Sequence, residues 1–339
     1  MGHGRPRAVA LTSASEPAAL LVAADVGYRD HLDRDRLAAL PAPVQVEWFE
    51  SLPQAMAATS VAEVLALGPD RGWSAAELLD TAPRLRWVHT RAAGVDRGQL
   101  QPLHRFREAG ITLTNGSGIS SAPIAEYVIM AMLAIAKGLP GLLTAQQRKS
   151  WAKPASTRDL QGSSVLLLGF GEVGHAVWER LRPFGVAATA VRRHPRAEPE
   201  IEVLGTSAWR PLIGRFDWVI VTAPLSSQTR GMIGAAELAG MKSDAWLLNV
   251  SRGGIVDQPA LTAALRAQAI GGAWLDVTEP EPLPADSELW AMPNVIVTPH
   301  SSWLSPRFPE RAAELLADNL RRWCSGQSLR NVVDLDVGY

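Results

Sequence analysis

At 339 residues the chain is longer than one compact core usually allows, which argues for two domains, and its 47% apolar and 20% charged residues are ordinary for a globular protein. A formal net charge of -1 provides no basic field for nucleic acid, and the one cysteine, Cys324, rules out an internal disulfide and suits a reducing, cytoplasmic compartment. No Cys/His cluster has zinc-ligand spacing, residues 1–10 lack the apolar run of a signal peptide, and no stretch reaches the roughly 18 unbroken apolar residues of a membrane span.

In chain order, short apolar runs alternate with stretches of helical periodicity, the pattern of βαβ units around a parallel sheet. A first series of strands is predicted at 20–24, 44–49, 64–67, 85–89 and 111–114. It gives way to a long apolar segment at helical spacing, 119–136, and a polar arm reaching Trp151. A second series opens at Val165 and continues through 187–191, 218–222, 245–250, 272–276 and 295–298. Six strands suit a dinucleotide-binding sheet. The last segment, 306–322, is again helical in pattern, and with the second sheet complete it should return to the first domain. The domains expected are therefore a discontinuous one, 1–118 plus 302–339, and 119–301.

The string Gly169-Phe170-Gly171-Glu172-Val173-Gly174 follows a buried-strand run and opens a helix. Such a string alone is weak evidence. In a strand-turn-helix setting, however, Gly169 can make the tight turn, Gly171 can admit a pyrophosphate to the backbone, and Gly174 can let helix and sheet close up. Three further features fall at ends of strands in the same sheet, where ligands of open α/β folds collect. Arg252 lies just beyond one strand, the carboxylates Asp276, Glu279 and Glu281 end or follow the next, and His300 follows the last. All three should converge on one cleft.

This combination resembles the D-isomer-specific 2-hydroxyacid dehydrogenase family over nearly the whole chain. The matching strings are Ala93-Gly94-Val95-Asp96, Thr114-Asn115, Ala125-Glu126, the glycine motif, Met241-Lys242, 249–253, Leu275-Asp276-Val277, Glu281-Pro282-Leu283-Pro284 and Thr298-Pro299-His300. The resemblance implies an α/β protein of two Rossmann-like or flavodoxin-like parallel-sheet domains, one binding substrate and one binding NAD(P), with the active site between them. It also implies hydride transfer between the nicotinamide cofactor and a small 2-oxo acid or D-2-hydroxy acid, with Arg252, Glu281 and His300 as the catalytic set. Those residue types suit the chemistry. An arginine fork can hold a carboxylate and the adjacent carbonyl oxygen, and a histidine can pass a proton to the developing alkoxide. A glutamate can hold that histidine in place.

By the same resemblance, backbone N–H groups of Gly94 and Val95 face the substrate carboxylate, and Ala223, Pro224, Val250 and Ser251 line the cofactor. Asp276 meets the nicotinamide carboxamide, and the helix and arm of 119–151 make a homodimer. His89, Arg91 and Trp303 are candidates for the wall of the substrate pocket. A nucleotide-sensing scaffold of the same fold is the competing reading, and the intact Arg252, Glu281 and His300 set argues against it. Cofactor choice turns on a departure from the commonest pattern. Where NAD enzymes place an acidic residue about 20 positions after the glycines, this chain has Arg192-Arg193, and Glu198 comes later. Two guanidinium groups favour NADP(H), with NAD(H) as the alternative.

Overall fold

The five apolar runs of the first half become β1 (Leu20–Asp25), β2 (Val44–Phe49), β3 (Val64–Leu67), β4 (Trp87–Thr90) and β5 (Thr112–Thr114), paired in parallel in the order β2-β1-β3-β4-β5. The computed structural model describes residues 19–339 except positions 71 and 97, so the signal-peptide question at 1–10 lies outside the described residues. Central β3 reads VLAL and is buried along its whole length, as a strand covered on both faces must be. Edge strand β2 reads VQVEWF and alternates between half-buried and exposed positions.

The second sheet holds β6 (Ser164–Leu168), β7 (Ala187–Val191), β8 (Glu202–Leu204), β9 (Trp218–Val221), β10 (Trp246–Asn249), β11 (Gly272–Leu275) and β12 (Val295–Val297). Its order is β12-β11-β10-β9-β6-β7-β8, again parallel throughout. Sequence reading anticipated six strands here. The seventh, β8, is a three-residue edge strand against β7, too short and too polar at Glu202 to register as an apolar run.

The predicted long helix is Ser121–Ala136, and its small buried residues Ala125, Val128 and Ala131 let it close against the glycine-motif helix Glu172–Leu181 on one face of the second sheet. It bends by 66° into Leu139–Gln147, and no single helix among the described residues is long and apolar enough to cross a membrane. The terminal helix Phe308–Cys324 returns to the first sheet. Ala312, Ala313, Leu316 and Leu320 pack with Val22, Val64 and Trp87, and Trp323 stacks on Trp87 at 5.6 Å. Burying each such Leu or Val contributes about 1.5–3 kcal/mol.

Candidate active site

The carboxyl ends of the β6, β9 and β10 strands are laced together before any functional group is placed. Thr222 Oγ1 donates to Gly169 O at 2.7 Å, and Ser251 Oγ donates to Ala223 O. Gly169 has φ 109, in the left-handed half of conformational space, and a Cβ there would lie 2.4 Å from Ala223 N. A Cβ at Gly174 would lie 2.4 Å from Gly169 O, so the helix can approach the turn only without a side chain. At Gly171, the residue that caps the helix, an added Cβ meets nothing within 4 Å.

That opening faces a cavity of about 920 Å³, lined by Phe170, Glu172 and Val173 of the motif and by Ala223, Pro224, Val250 and Ser251. Gly94 and Asp96 close it from the first sheet, and Arg192 and Arg193 stand at its far end. An uncovered backbone at a helix N-terminus beside an elongated cavity fits a dinucleotide, with the pyrophosphate at Gly171.

Arg252 is fixed from several sides. Buried Asn249 accepts from Ser251 N at 3.1 Å and donates to Arg252 O at 2.9 Å, setting the loop after β10. The guanidinium donates from Nε to both carboxylate oxygens of Asp96 at 3.2 Å and from Nη1 to Ser251 O at 2.8 Å. Its Nη2 lies across Gly94, where a Cβ would fall 1.7 Å away. Thus the arginine of the second sheet reaches the glycine loop of the first, and any side chain at position 94 would displace it. Val95 beside it is buried.

His300 and Glu281 are brought together from the next two strand ends. His300 Nδ1 and Glu281 Oε2 are 3.0 Å apart, and Glu281 Oε1 accepts from Thr278 N at 3.2 Å. A carboxylate partner accepts only, so Nδ1 carries a proton and donates. Glu279 is engaged elsewhere, accepting from Arg230 at 3.0 and 3.1 Å. The Arg252 loop abuts this region closely, since a Cβ at Gly253 would strike Thr278 O at 2.1 Å.

His300 itself adopts φ 51, an unusual value for a residue with a side chain. Asp276 holds it there: its carbonyl accepts from His300 N at 2.8 Å, and its carboxylate accepts from Ser301 N at 2.9 Å, Ser302 N at 3.0 Å and Thr298 Oγ1 at 2.7 Å. The chain of donors continues outward, Trp274 Nε1 to Tyr127 Oη at 3.1 Å and Tyr127 Oη to Thr298 Oγ1 at 2.5 Å, and burial raises the Tyr127 pKa. Asp276 is therefore buried and occupied in shaping the histidine loop.

Three further expectations are revised or refined. His89 does not wall the cleft. It is fully buried, Thr114 Oγ1 lies 2.8 Å from its Nδ1, its Nε2 has no hydrogen-bond partner among the described residues, and burial lowers its pKa to about 3. Arg91 and Trp303 both pack on Phe308, with the guanidinium 5.4 Å and the indole 5.1 Å from its ring, so they join the end of β4 to the loop beyond His300. Near Arg192, a backward turn closed by the Glu198–Ile201 bridge brings Glu198 to 3.5 Å from the guanidinium and 3.9 Å from His175. Position along the strand did not reveal that carboxylate, because it arrives through space.

A parallel sheet with a glycine-opened cofactor cavity and an arginine, glutamate and histidine at its strand ends defines a nicotinamide-dependent oxidoreductase. Residues 129–302 match the family described as D-isomer specific 2-hydroxyacid dehydrogenase, NAD binding domain. The chain is 32% identical over 270 residues to a glyoxylate reductase of Thermococcus litoralis, covering 77% of this chain and 80% of that protein. A glyoxylate/hydroxypyruvate reductase B of Pectobacterium carotovorum is 32% identical, with 77% and 82% covered. A D-isomer specific 2-hydroxyacid dehydrogenase of Xanthobacter autotrophicus, solved in complex with NADPH and MES, superposes with TM-score 0.78 at 29% identity, covering 95% of this chain and 100% of that one. The protein belongs to the D-isomer-specific 2-hydroxyacid dehydrogenase family, as an NAD(P)-dependent enzyme rather than a nucleotide-sensing scaffold.

Proposed function

We propose that this enzyme reduces small 2-oxo acids of the glyoxylate and hydroxypyruvate class to D-2-hydroxy acids with NADPH. The observation that carries the reading is the His300–Glu281 hydrogen bond at 3.0 Å, on a loop adjoining that of the braced Arg252. Arg252 binds the substrate carboxylate and the neighbouring carbonyl oxygen, assisted by the N–H groups of Gly94 and Val95. A nicotinamide cofactor held along Ala223, Pro224, Val250 and Ser251 would supply hydride chemistry to the carbonyl carbon of a substrate so oriented. His300 delivers the proton to the carbonyl oxygen from Nε2 and is reprotonated from solvent, while its Nδ1 keeps its proton and donates to Glu281, which fixes the ring orientation. Asp276 keeps the histidine loop in its strained form.

Gly169, Gly171, Gly174 and the first turn of the following helix hold the pyrophosphate, and Ala223, Pro224, Val250 and Ser251 form the wall along the cofactor. Arg192 and Arg193 take the 2′-phosphate of NADPH. The division of labour is a substrate domain, 1–118 plus 302–339, and a cofactor domain, 119–301. The exposure of Met130, Leu139, Leu143 and Trp151 along the 119–151 helix and arm supports a homodimer. The single unpaired Cys324 fits a cytoplasmic enzyme. A matrix of 2-oxo acids from glyoxylate to phenylpyruvate, each with NADH and NADPH, tests substrate and cofactor together. Turnover of none of them, or preference for NADH, would overturn the corresponding half.

A further inference from the structure

The segment beyond the terminal helix runs along the first sheet and ends its course at the cofactor cavity. Asn331 Nδ2 donates to Ser117 O at 2.8 Å, Val333 N donates to Leu113 O at 2.9 Å, and Val333 and Leu335 enter the first core. Asp334 then builds a turn. Its carboxylate accepts from Asp336 N at 2.9 Å and Val337 N at 3.3 Å, its carbonyl accepts from Gly338 N at 2.7 Å, and its N–H donates to Tyr339 O at 3.2 Å. Gly338 has φ 83, a conformation that glycine adopts without the penalty of a Cβ.

This turn sets the Tyr339 ring 5.1 Å from the Arg193 guanidinium, which projects from the end of β7 in the other sheet. Gly338, Tyr339, Arg192 and Arg193 line the same cavity as the glycine motif. The two arginines differ in their company. Arg192 lies 3.5 Å from Glu198, whereas among the described residues Arg193 is paired with no carboxylate. Arg193 is thus the cation with charge to offer, and an aromatic face is what positions it.

We propose that Tyr339 is a specificity-determining residue for the cofactor, holding Arg193 from the opposite side of the cleft so that the 2′-phosphate of NADP(H) meets a pre-positioned guanidinium. The proposal rests on the NADPH reading above. An exposed arginine loses rotamer freedom when it binds a phosphate, and a ring that already confines it removes part of that loss. A ribose hydroxyl does not draw on the guanidinium charge in this way, so the advantage belongs to the phosphorylated cofactor.

The test is calorimetric titration of the full chain with 2′,5′-ADP and with 5′-AMP, for wild type, Tyr339→Ala, Tyr339→Leu and Tyr339→Phe. Wild type should bind 2′,5′-ADP more tightly than 5′-AMP. The alanine and leucine variants should lose about three- to tenfold for 2′,5′-ADP and less than about twofold for 5′-AMP, with phenylalanine restoring the difference. Should wild type fail to distinguish the two nucleotides, the NADPH reading falls and the role of Tyr339 falls with it. If wild type does distinguish them but the alanine and leucine variants match it, or lose equally for both nucleotides, only the role of Tyr339 is overturned.

Discussion

The groups around Arg252 and His300 and those around Arg192 and Arg193 are held to different standards of rigidity. At the chemical end Arg252 is held by Asp96 and Ser251, His300 by Glu281, and the histidine loop by four hydrogen bonds to Asp276. Beyond the end of β7, Arg192 has one carboxylate at 3.5 Å, and Arg193 has one aromatic ring across the cleft. A reaction in which charge develops within a bond length needs donors fixed in advance, whereas recognition of a phosphate needs mainly charge of the right sign nearby. In the proposed function, cofactor choice therefore falls to side chains that can be exchanged without disturbing the chemistry.

Substitution at the rigid end should have the largest effects. His300→Ala is expected to lower turnover by about two to four orders of magnitude while cofactor affinity, read by nucleotide fluorescence, stays near wild type. Equal turnover in the variant would remove His300 from the reaction. Arg252→Lys keeps the charge but loses the fork, and steady-state kinetics should show kcat/KM down by about 100-fold with both parameters affected. A value within twofold of wild type would show that the bidentate geometry is unimportant.

At the looser end the effects should be smaller and selective. Arg192→Asp combined with Arg193→Ala should shift the ratio of catalytic efficiencies with NADPH and NADH by at least about tenfold towards NADH, since charge-assisted hydrogen bonds are lost. An unmoved ratio would assign the 2′-phosphate to other groups. Glu198→Gln relieves the competition for Arg192 and should improve the same ratio about threefold, within the range of a partly exposed ion pair. A fall in NADPH efficiency would instead make Glu198 part of the binding site.

A signal in stability rather than in catalysis comes from His89, buried on β4. Its pKa is about 3 in the folded protein against 6.5 as the ordinary value, so the unfolded chain binds the extra proton between those limits. Stability from this group is complete above pH 6.5 and falls as the pH drops towards 3, by up to about 1.4 kcal/mol per pH unit. Urea midpoints at pH 7 and pH 5 should converge in His89→Gln relative to wild type. Unchanged acid sensitivity would contradict a neutral, buried imidazole.

Most strands were legible because a buried parallel strand is a continuous apolar run, and the strand-end positions of Arg252, Glu281 and His300 followed once the glycine motif identified the sheet. What brings those positions together was less legible. Asp96 and Arg252 are separated by 156 positions and meet only because the loop after β10 reaches the loop after β4. Asp276 was visible as a strand-end carboxylate, but its grip on the following loop depends on the turn that His300 makes. His89 looked like a cleft residue for the same strand-end reason; its register opposite Ala66 and Thr114, on a strand between two others, turns it into the core. Tyr339 lies beyond the last periodic segment, where no pattern points to a partner. Glu198 needed the backward turn at Ile201.

The return of the terminal helix also sets an order of events at the ribosome. The strands β1 to β5 emerge first, yet the face formed by Val22, Val64 and Trp87 lacks the packing of Ala312, Ala313, Leu316 and Leu320 until Phe308–Cys324 has been made. The second sheet, complete at Val297, can close while that face is still bare. The half of the molecule translated first is thus the half whose core is completed last.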